Sequence, residues 1–317
     1  MQPEQTVLGI DVGSVAATVA LVDARGQMTQ SGYELHRGDA AGCLRRLLGD
    51  LDLSRVRGVA ATASTPRVLR ECPRYDNRVA VIAAARRFHR RIGTVLMVGA
   101  ERFGAVFFDD RGNYSGFQGN TSCAAGTGSF LDQQAARLGL KGIQELCNTA
   151  DANRGSLPRI ASRCAVFAKT DLVHAQQEGH SLEAICDGLC YGLARNIVDT
   201  LFSHQRPRAP LIFTGGVARN RPVARHIETL VGMAPCTEGT AFYGAVGAAL
   251  CWLEEVPSSG RTSYRRPQDL LAPPSVARPY ENPPLELTDS RYPDFEDHEH
   301  RTWRSGRFPF LAPVEVE

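Results

Sequence analysis

The first residues able to do chemistry form a short turn near the N-terminus. Residues 9–14 read Gly-Ile-Asp-Val-Gly-Ser and lie between two apolar stretches predicted to be strands. Asp11 at a strand end can hold a hydrated Mg²⁺, while backbone N–H groups at Gly13 and the Ser14 hydroxyl can face phosphate oxygens. A plain hairpin with an aspartate in its turn is the alternative interpretation.

A second turn of this kind lies about two thirds of the way along the chain. Residues 213–220 read Phe-Thr-Gly-Gly-Val-Ala-Arg-Asn, so a predicted strand runs into Gly215 and Gly216 and then into a helix. Bare glycine backbone can approach a ligand closely, and Asn220 lies at the same turn. A lone Gly-Gly pair is a weak signal, but its place after an Asp-x-Gly hairpin favours a nucleotide site.

Two cysteines, Cys123 and Cys164, each precede a predicted helix. Gly126 and Gly128 allow the backbone to turn before the first helix, and Thr170 or Asp171 is expected to cap the second. A helix N-terminus favours a thiolate and any anionic centre bound to it. Buried structural cysteines are the alternative.

The distance along the chain between these two cysteines is too long for a zinc knuckle or a ferredoxin motif. Two thiolates are half of the set that a four-iron cluster requires, and a twofold dimer would supply the other two. Cys186 and Cys190 are four residues apart on one helix face, where core packing is the favoured interpretation over metal binding.

The elements that must position these residues follow an α/β pattern. Three strands are predicted within residues 6–35, and helices dominate the second half of the chain. The remaining predicted strands are 56–62, 94–98, 105–109 and 211–214, and the predicted helices are 39–51, 79–91, 126–138, 170–178, 182–204, 222–231 and 240–254. This order differs from an alternating βαβ unit.

Composition limits the classes of function. The net charge is +2, so no global field attracts nucleic acid or a membrane surface, and the 43% apolar content suits a folded core. The polar first residues and the absence of a 20-residue apolar stretch predict no secretory signal and no membrane helix, hence a cytoplasmic location. Ten of the 18 prolines lie in residues 257–317, which we interpret as an extended tail or linker after a domain of residues 1–256.

The four motifs, in this order, resemble the BadF/BadG/BcrA/BcrD ATPase family, which includes activators of 2-hydroxyacyl-CoA dehydratases and benzoyl-CoA reductase ATPase subunits. The resemblance covers residues 7–252, and its most specific parts are Cys-Ala-Ala-Gly-Thr-Gly at 123–128 and Arg-Cys-Ala-Val-Phe-Ala-Lys-Thr-Asp at 163–171. It implies the ASKHA (actin/hexokinase/Hsp70) fold.

The resemblance also implies ATP/ADP and Mg²⁺ as ligands. It further implies a homodimer that binds one [4Fe–4S] cluster through Cys123 and Cys164 of each subunit, and a dehydratase or reductase partner that receives a low-potential electron. Residues 283–301 look like the segment that joins two ATPase modules in large fused relatives, so a second ATPase module is the other expected partner.

The second phosphate motif departs from the family pattern. Met97 stands where the family has an acid, and Arg102 replaces a later aspartate. An acid there would orient Mg²⁺ or the attacking water, which methionine cannot do. Glu101 is the candidate catalytic acid that could compensate from a neighbouring position.

Two other functions stay open at this point. The Met97 and Arg102 substitutions favour a non-hydrolysing iron–sulfur or scaffold module that works beside an active ATPase. A small-molecule kinase of the same fold ranks last, because such an enzyme needs an aspartate base toward the substrate hydroxyl and none stands where Met97 is.

Overall fold

The structure is a computed structural model that describes residues 5–120, 127–161, 165–256, 266–273, 300–303 and 306–309, without the side chains of 165–167 and 300–309. The chain divides into two compact units, Met1–Pro274 and Ser275–Glu317. The first unit contains two sheets, which we call the first lobe and the second lobe.

The first lobe is a five-stranded sheet in the order β3-β2-β1-β4-β5. Its strands are β1 (Thr6–Val12), β2 (Ala16–Asp23), β3 (Met28–Leu35), β4 (Val56–Thr62) and β5 (Arg74–Tyr75). Helix α1 (Ala40–Gly49) covers one face because Leu44, Leu47 and Leu48 recur on one side of the helix. Asp39 caps this helix by accepting a hydrogen bond from the Gly42 N–H, as the sequence predicts.

The second lobe is a four-stranded sheet in the order β8-β7-β6-β9. Its strands are β6 (Thr94–Val98), β7 (Phe103–Phe108), β8 (Tyr114–Gly119) and β9 (Leu211–Thr214). Its helices are α3 (Gly128–Arg137), α4 (Ile143–Asp151), α5 (Ala165–Gln177), α6 (Leu182–Leu201) and α7 (Arg221–Val231). They share one apolar core with this sheet.

The two lobes repeat one topology. In the first, β1 pairs antiparallel with β2 and parallel with β4, and in the second, β6 pairs antiparallel with β7 and parallel with β9. The turn after β1 is closed by Gly13 N–H donating to Ala16 O at 2.9 Å, and the turn after β6 by Gly99 N–H donating to Arg102 O at 2.8 Å. Gly13 and Gly99 are therefore equivalent, and counting back two residues makes Asp11 equivalent to Met97.

Two helices connect the lobes. Helix α2 (Asn77–Phe88) leads from β5 to β6, and α8 (Tyr243–Glu255) packs on β1, β2 and β4 and crosses α2. The helices approach closely because Gly247 has no side chain. A Cβ at this position would overlap the Ala80 carbonyl. Apolar residues of both lobes and both helices form one buried cluster.

One predicted helix boundary needs correction, and two elements were not predicted. Helix α5 begins at Ala165, so Thr170 and Asp171 lie inside it and the prediction that one of them caps it is wrong. The nine-residue helix α4 and the mostly exposed edge strand β8 were not predicted. Helix α4 is amphipathic but so short that only Leu146, Cys147 and Ala150 mark its buried face, and β8 has no buried face.

The first compact unit continues past residue 256. The short helix α9 (Pro267–Leu270) contacts α1, Leu271 forms a bridge with Leu69, and both leucines belong to the first-lobe core. In the second unit, β10 (His300–Trp303) and β11 (Gly306–Pro309) form an antiparallel hairpin. No helix in the described part of the chain is long and apolar enough to cross a membrane.

Candidate functional site

The Asp11 carboxylate near the end of β1 is held by hydroxyl groups from the end of the parallel strand β4 and the turn that follows it. The β1–β4 register pairs Ile10 with Ala61, which places Asp11 beside Thr62. Asp11 Oδ1 accepts hydrogen bonds from Thr62 Oγ1 at 2.6 Å and from Ser64 Oγ at 3.2 Å. These bonds fix the carboxylate orientation, since both donors come from a strand end and the turn that follows it.

The other carboxylate oxygen faces the first turn of α8. A Cβ on Gly244 would overlap Asp11 Oδ2, so glycine is what allows the carboxylate to lie against this helix. Burial raises the pKa of Asp11, while the hydrogen bonds from Thr62 and Ser64 act in the opposite direction. A divalent cation would relieve this cost of a buried charge, so the site suits a hard cation with oxygen ligands.

A histidine supports the turn that follows Asp11. His36 is buried, and its Nδ1 accepts a hydrogen bond from the Gly38 N–H at 3.1 Å. Its Nε2, 3.0 Å from the Gly13 carbonyl oxygen, is then the protonated nitrogen and donates to that oxygen. Gly13 and Ser14 themselves are exposed, so their backbone and hydroxyl groups can reach a phosphate.

The corresponding strand end of the second lobe carries methionine at the position of Asp11. Met97 is half-buried, pairs with Thr214 and packs against the cluster shared by both lobes. The Thr214 hydroxyl donates to the Thr240 carbonyl at 2.6 Å. Glu101 and Arg102 lie in the turn and are exposed, so the predicted role of Glu101 stays a prediction.

The Gly215–Gly216 turn lies directly beside this second turn. Gly215 has φ +94°, and a Cβ there would overlap the Val98 carbonyl oxygen, so both its conformation and its surroundings require glycine. The Tyr33 hydroxyl of the first lobe would be 3.4 Å from a Cβ on Gly216. The Arg219 guanidinium lies 3.9 Å from the centre of the Tyr33 ring, so the lobes touch at this turn.

Gly128 joins α3 to both second-lobe turns. Its N–H donates to Gly99 O at 3.0 Å, and the next N–H, of Ser129, donates to Ala100 O at 2.9 Å. A Cβ on Gly128 would lie 3.0 Å from Val217 Cγ2, beyond the Gly-Gly turn. The start of α3 therefore rests on the turn that is equivalent to the phosphate turn of the first lobe.

Asn220 has a structural contact. It is buried, and its Oδ1 accepts from the Val223 N–H at 3.0 Å, which makes it the N-cap of α7. Its predicted contact with a cofactor stays a prediction. Cys123, Cys164 and Gly126 lie outside the described residues.

The other paired cysteines are described. Cys186 and Cys190 are fully buried in the second-lobe core, which confirms the packing interpretation, and burial is the main reason that the pKa values of both thiols are raised. Among described residues, no group of three or more His, Cys, Asp or Glu side chains is placed to hold a metal ion.

Sequence reasoning missed the partners of Asp11. Thr62, Ser64 and Gly244 are distant from Asp11 in the chain. The pairing of β1 with β4 brings the first two to it, and the packing of α8 on the sheet brings Gly244. One signal was present. Thr62 ends a predicted strand, and polar residues at the ends of neighbouring parallel strands meet at one sheet edge.

A comparison with known protein families agrees with the sequence motifs. A sequence model of the BadF/BadG/BcrA/BcrD ATPase family matches residues 57–251. The chain belongs to this family. The resemblance expected from the cysteine and glycine motifs is thereby confirmed.

Curated relatives of this family member include two activators. The chain is 31% identical to a 2-hydroxyisocaproyl-CoA dehydratase activator of Clostridioides difficile, over 52% of this chain and 62% of the relative. It is 32% identical to the (R)-2-hydroxyglutaryl-CoA dehydratase activating ATPase of Acidaminococcus fermentans, over 50% and 60%. An uncharacterized Escherichia coli protein, YjiL, is also 32% identical, over 49% and 60%. The chain thus spans only about three fifths of the length of these relatives.

Solved structures confirm the ASKHA fold. The activator of the 2-hydroxyisocaproyl-CoA dehydratase from Clostridium difficile with bound ADPNP superposes with a TM-score of 0.71 and 22% identity, over 79% of this chain and 95% of the other. Component A of the Acidaminococcus fermentans (R)-2-hydroxyglutaryl-CoA dehydratase gives 0.69 and 22%, over 79% and 98%. At this identity the likeness concerns the fold alone.

Proposed function

We propose that this family member is an ATP-dependent activator that delivers a low-potential electron to a 2-hydroxyacyl-CoA dehydratase or a benzoyl-CoA reductase-type partner. The observation that carries the proposal is the Asp11 carboxylate, fixed by Thr62 and Ser64 next to an exposed Gly13–Ser14 turn. The names of the relatives, which are activators of such dehydratases, support the choice of partner.

Nucleotide and Mg²⁺ would be held between the lobes. Asp11 would bind the Mg²⁺ that accompanies the phosphates, directly or through water. Gly13 and Ser14 would contact the phosphates, and the Gly215–Gly216 turn would lie along the nucleoside. Mg²⁺ bound to ATP would neutralise phosphate charge as the terminal phosphate is transferred to water.

The proposed [4Fe–4S] cluster bridges a homodimer through Cys123 and Cys164 of each subunit. Helix α5 begins at Ala165, the residue after Cys164, and α3 begins at Gly128, five residues after Cys123. Helix N-termini near the thiolates would stabilise an anionic cluster. Gly128 and Ser129 donate to the Gly99–Ala100 turn, so a nucleotide that shifts this turn would also shift the segment that carries Cys123.

A second candidate rests on Met97. The equivalence of Met97 with Asp11 means that the second lobe offers no acid at this position. The chain could then bind nucleotide and a cluster without hydrolysing ATP, and would work beside an active ATPase or a second ATPase module.

One anaerobic purification tests the proposal. We expect about four irons per dimer, absorbance near 400 nm, a dimeric native mass and ATP turnover that requires Mg²⁺. Cys123→Ser should lose the iron, whereas Cys236→Ser, at an exposed cysteine outside the two motifs, should retain it. Iron without turnover would favour the scaffold module, and absence of iron from the wild-type dimer would overturn the cluster.

A further inference from the structure

We infer that Asn77 is a positioning residue for the magnesium site, acting on Asp11 through Ser64. The inference rests on the proposed nucleotide function and extends it to a residue that does not touch the carboxylate. It follows from a chain of hydrogen bonds that begins at Asp11 and ends at the helix connecting the lobes.

Asn77 makes two hydrogen bonds with Ser64. Its Nδ2 donates to Ser64 Oγ at 2.9 Å, and its Oδ1 accepts from the Ser64 N–H at 3.1 Å. Ser64 Oγ accepts from Asn77, and its own proton faces Asp11 Oδ1 at 3.2 Å and Thr62 Oγ1 at 3.1 Å. Since the Thr62 hydroxyl itself donates to Asp11 Oδ1, Ser64 acts on the carboxylate directly or through Thr62. Ser64 is exposed, so without the hydrogen bonds to Asn77 its hydroxyl could rotate toward water.

Asn77 is itself held in place. It is the first residue of α2, and Asp76 caps that helix by accepting from the Arg78 N–H at 2.9 Å. One turn further along, the Ala80 carbonyl contacts Gly247 of α8, and Gly244 of the same helix contacts Asp11. The contacts form a closed ring from Asp11 through Ser64, α2 and α8 back to Asp11.

This ring links the site to the arrangement of the lobes. Helix α2 leads from the first lobe to the second, so a change in its crossing with α8 would move Asn77 and Ser64. Groups that orient a metal ligand without touching the metal influence its affinity strongly. Asn77 would therefore set how well Asp11 binds Mg²⁺, while contributing nothing to nucleotide contacts made without the metal.

The experiment measures binding, which does not require turnover. ADP is titrated into the full chain in EDTA, and Mg²⁺ is then titrated at fixed ADP, together with thermal melting. We expect Asn77→Ala to raise the Mg²⁺ concentration for half-maximal effect by about 10-fold. ADP affinity in EDTA and the melting temperature should stay close to wild type. Asn148→Ala, an exposed amide on α4, is the matched control and should change nothing.

A double variant tests the route through Ser64. Ser64→Ala should raise the Mg²⁺ requirement, and adding Asn77→Ala to it should have little further effect, because the hydroxyl that Asn77 directs is already gone. Additive effects, or an equal loss of ADP affinity in EDTA, would overturn the inference. If wild type binds Mg²⁺–ADP and Asn77→Ala matches it, only the inference fails. If wild type shows no Mg²⁺-dependent binding, the inference and the nucleotide function fail together.

Discussion

Each lobe contains one pair of parallel strands in equivalent positions, β1 with β4 in the first and β6 with β9 in the second. The side chains at the ends of these strands differ. In the first lobe, Asp11 and Thr62 are neighbours, and the threonine hydroxyl donates to the carboxylate. In the second lobe, Met97 and Thr214 are neighbours, and the threonine hydroxyl donates to the Thr240 carbonyl. Both lobes thus have a threonine at the end of the second strand of the pair, but only the first lobe has a carboxylate beside it.

The two turns are held in place by different kinds of contact. The first is held by side chains, namely the hydroxyls around Asp11 and the His36 contact with Gly13. The second is held by backbone contacts, since Gly128 and Ser129 donate to it and Gly215 packs against Val98. The first arrangement suits a metal ligand, and the second couples the turn to the start of α3 and to the Gly215–Gly216 turn.

Replacing the acids should give the largest difference between the turns. Asp11→Ala should lower Mg²⁺-dependent ATP turnover by on the order of 100-fold, because it removes the buried ligand. Glu101→Ala, at an exposed position, should lower turnover by at most about 10-fold. Steady-state phosphate release under anaerobic conditions measures both. A larger loss for Glu101→Ala would reverse the assignment of the two turns.

Met97→Asp would place a carboxylate near the end of β6, as Asp11 does near the end of β1. A carboxylate at this position could orient Mg²⁺ or the attacking water, so we expect phosphate release to rise by about 10-fold. Met97→Leu keeps the apolar packing and should leave the rate unchanged. If Met97→Asp binds nucleotide normally but turns over no faster, the missing acid is not what limits hydrolysis.

The glycine contacts of the second turn should matter for stability. Gly215→Ala combines positive φ with overlap on Val98, and should lower the free energy of unfolding by about 3 kcal/mol. Gly112 has φ +79° in open space, so Gly112→Ala carries only the backbone cost of about 1 kcal/mol. Urea denaturation compares the two. Equal losses would show that Val98 yields to the added methyl group.

The smallest expected effect is on the pH dependence of metal-free stability. Burial raises the pKa of Asp11 above its unfolded value of 3.8, so the folded protein holds that proton more tightly and loses stability as pH rises through this range. Asp11→Asn should therefore melt slightly higher than wild type at pH 7, and the gap should close toward pH 4.

An aspartate with the opposite shift provides the control. Hydrogen bonds from Ser54 lower the pKa of Asp52, so Asp52→Asn should remove a stabilising effect at pH 7 that is absent at low pH. A wild-type protein that melts higher than Asp11→Asn at pH 7 would contradict the destabilising burial of the Asp11 charge.

Local signals predicted much of the fold. Asp39 with its leucine pattern identified α1, and the apolar run at 94–98 identified β6 with the observed bounds. The start of α5 was misplaced because Thr170 and Asp171 have the composition of a cap, whereas the structure places them within the helix. From within the helix, the Asp171 carboxylate accepts a hydrogen bond from the Ala161 N–H at 2.6 Å.

The site was predictable only in part. Asp11 stands out because it is an acid at the end of an apolar run. The Gly215–Gly216 turn stands out because two glycines follow an apolar strand, where a packed core would not need them. Thr62, Ser64, Asn77 and Gly244 do not stand out, since their roles depend on a parallel register and on a helix crossing. Contacts of this kind are set by the fold, and a linear pattern does not contain them.

Asp11 is proposed to bind the magnesium ion of a bound nucleotide. Calorimetric titration of ADP into wild type and Asp11→Asn, each with Mg²⁺ and with EDTA, tests it most directly. We expect Mg²⁺ to tighten ADP binding to wild type by about 10-fold or more, and Asp11→Asn to bind ADP equally in both solutions. Tightening by Mg²⁺ that survives in Asp11→Asn would contradict it.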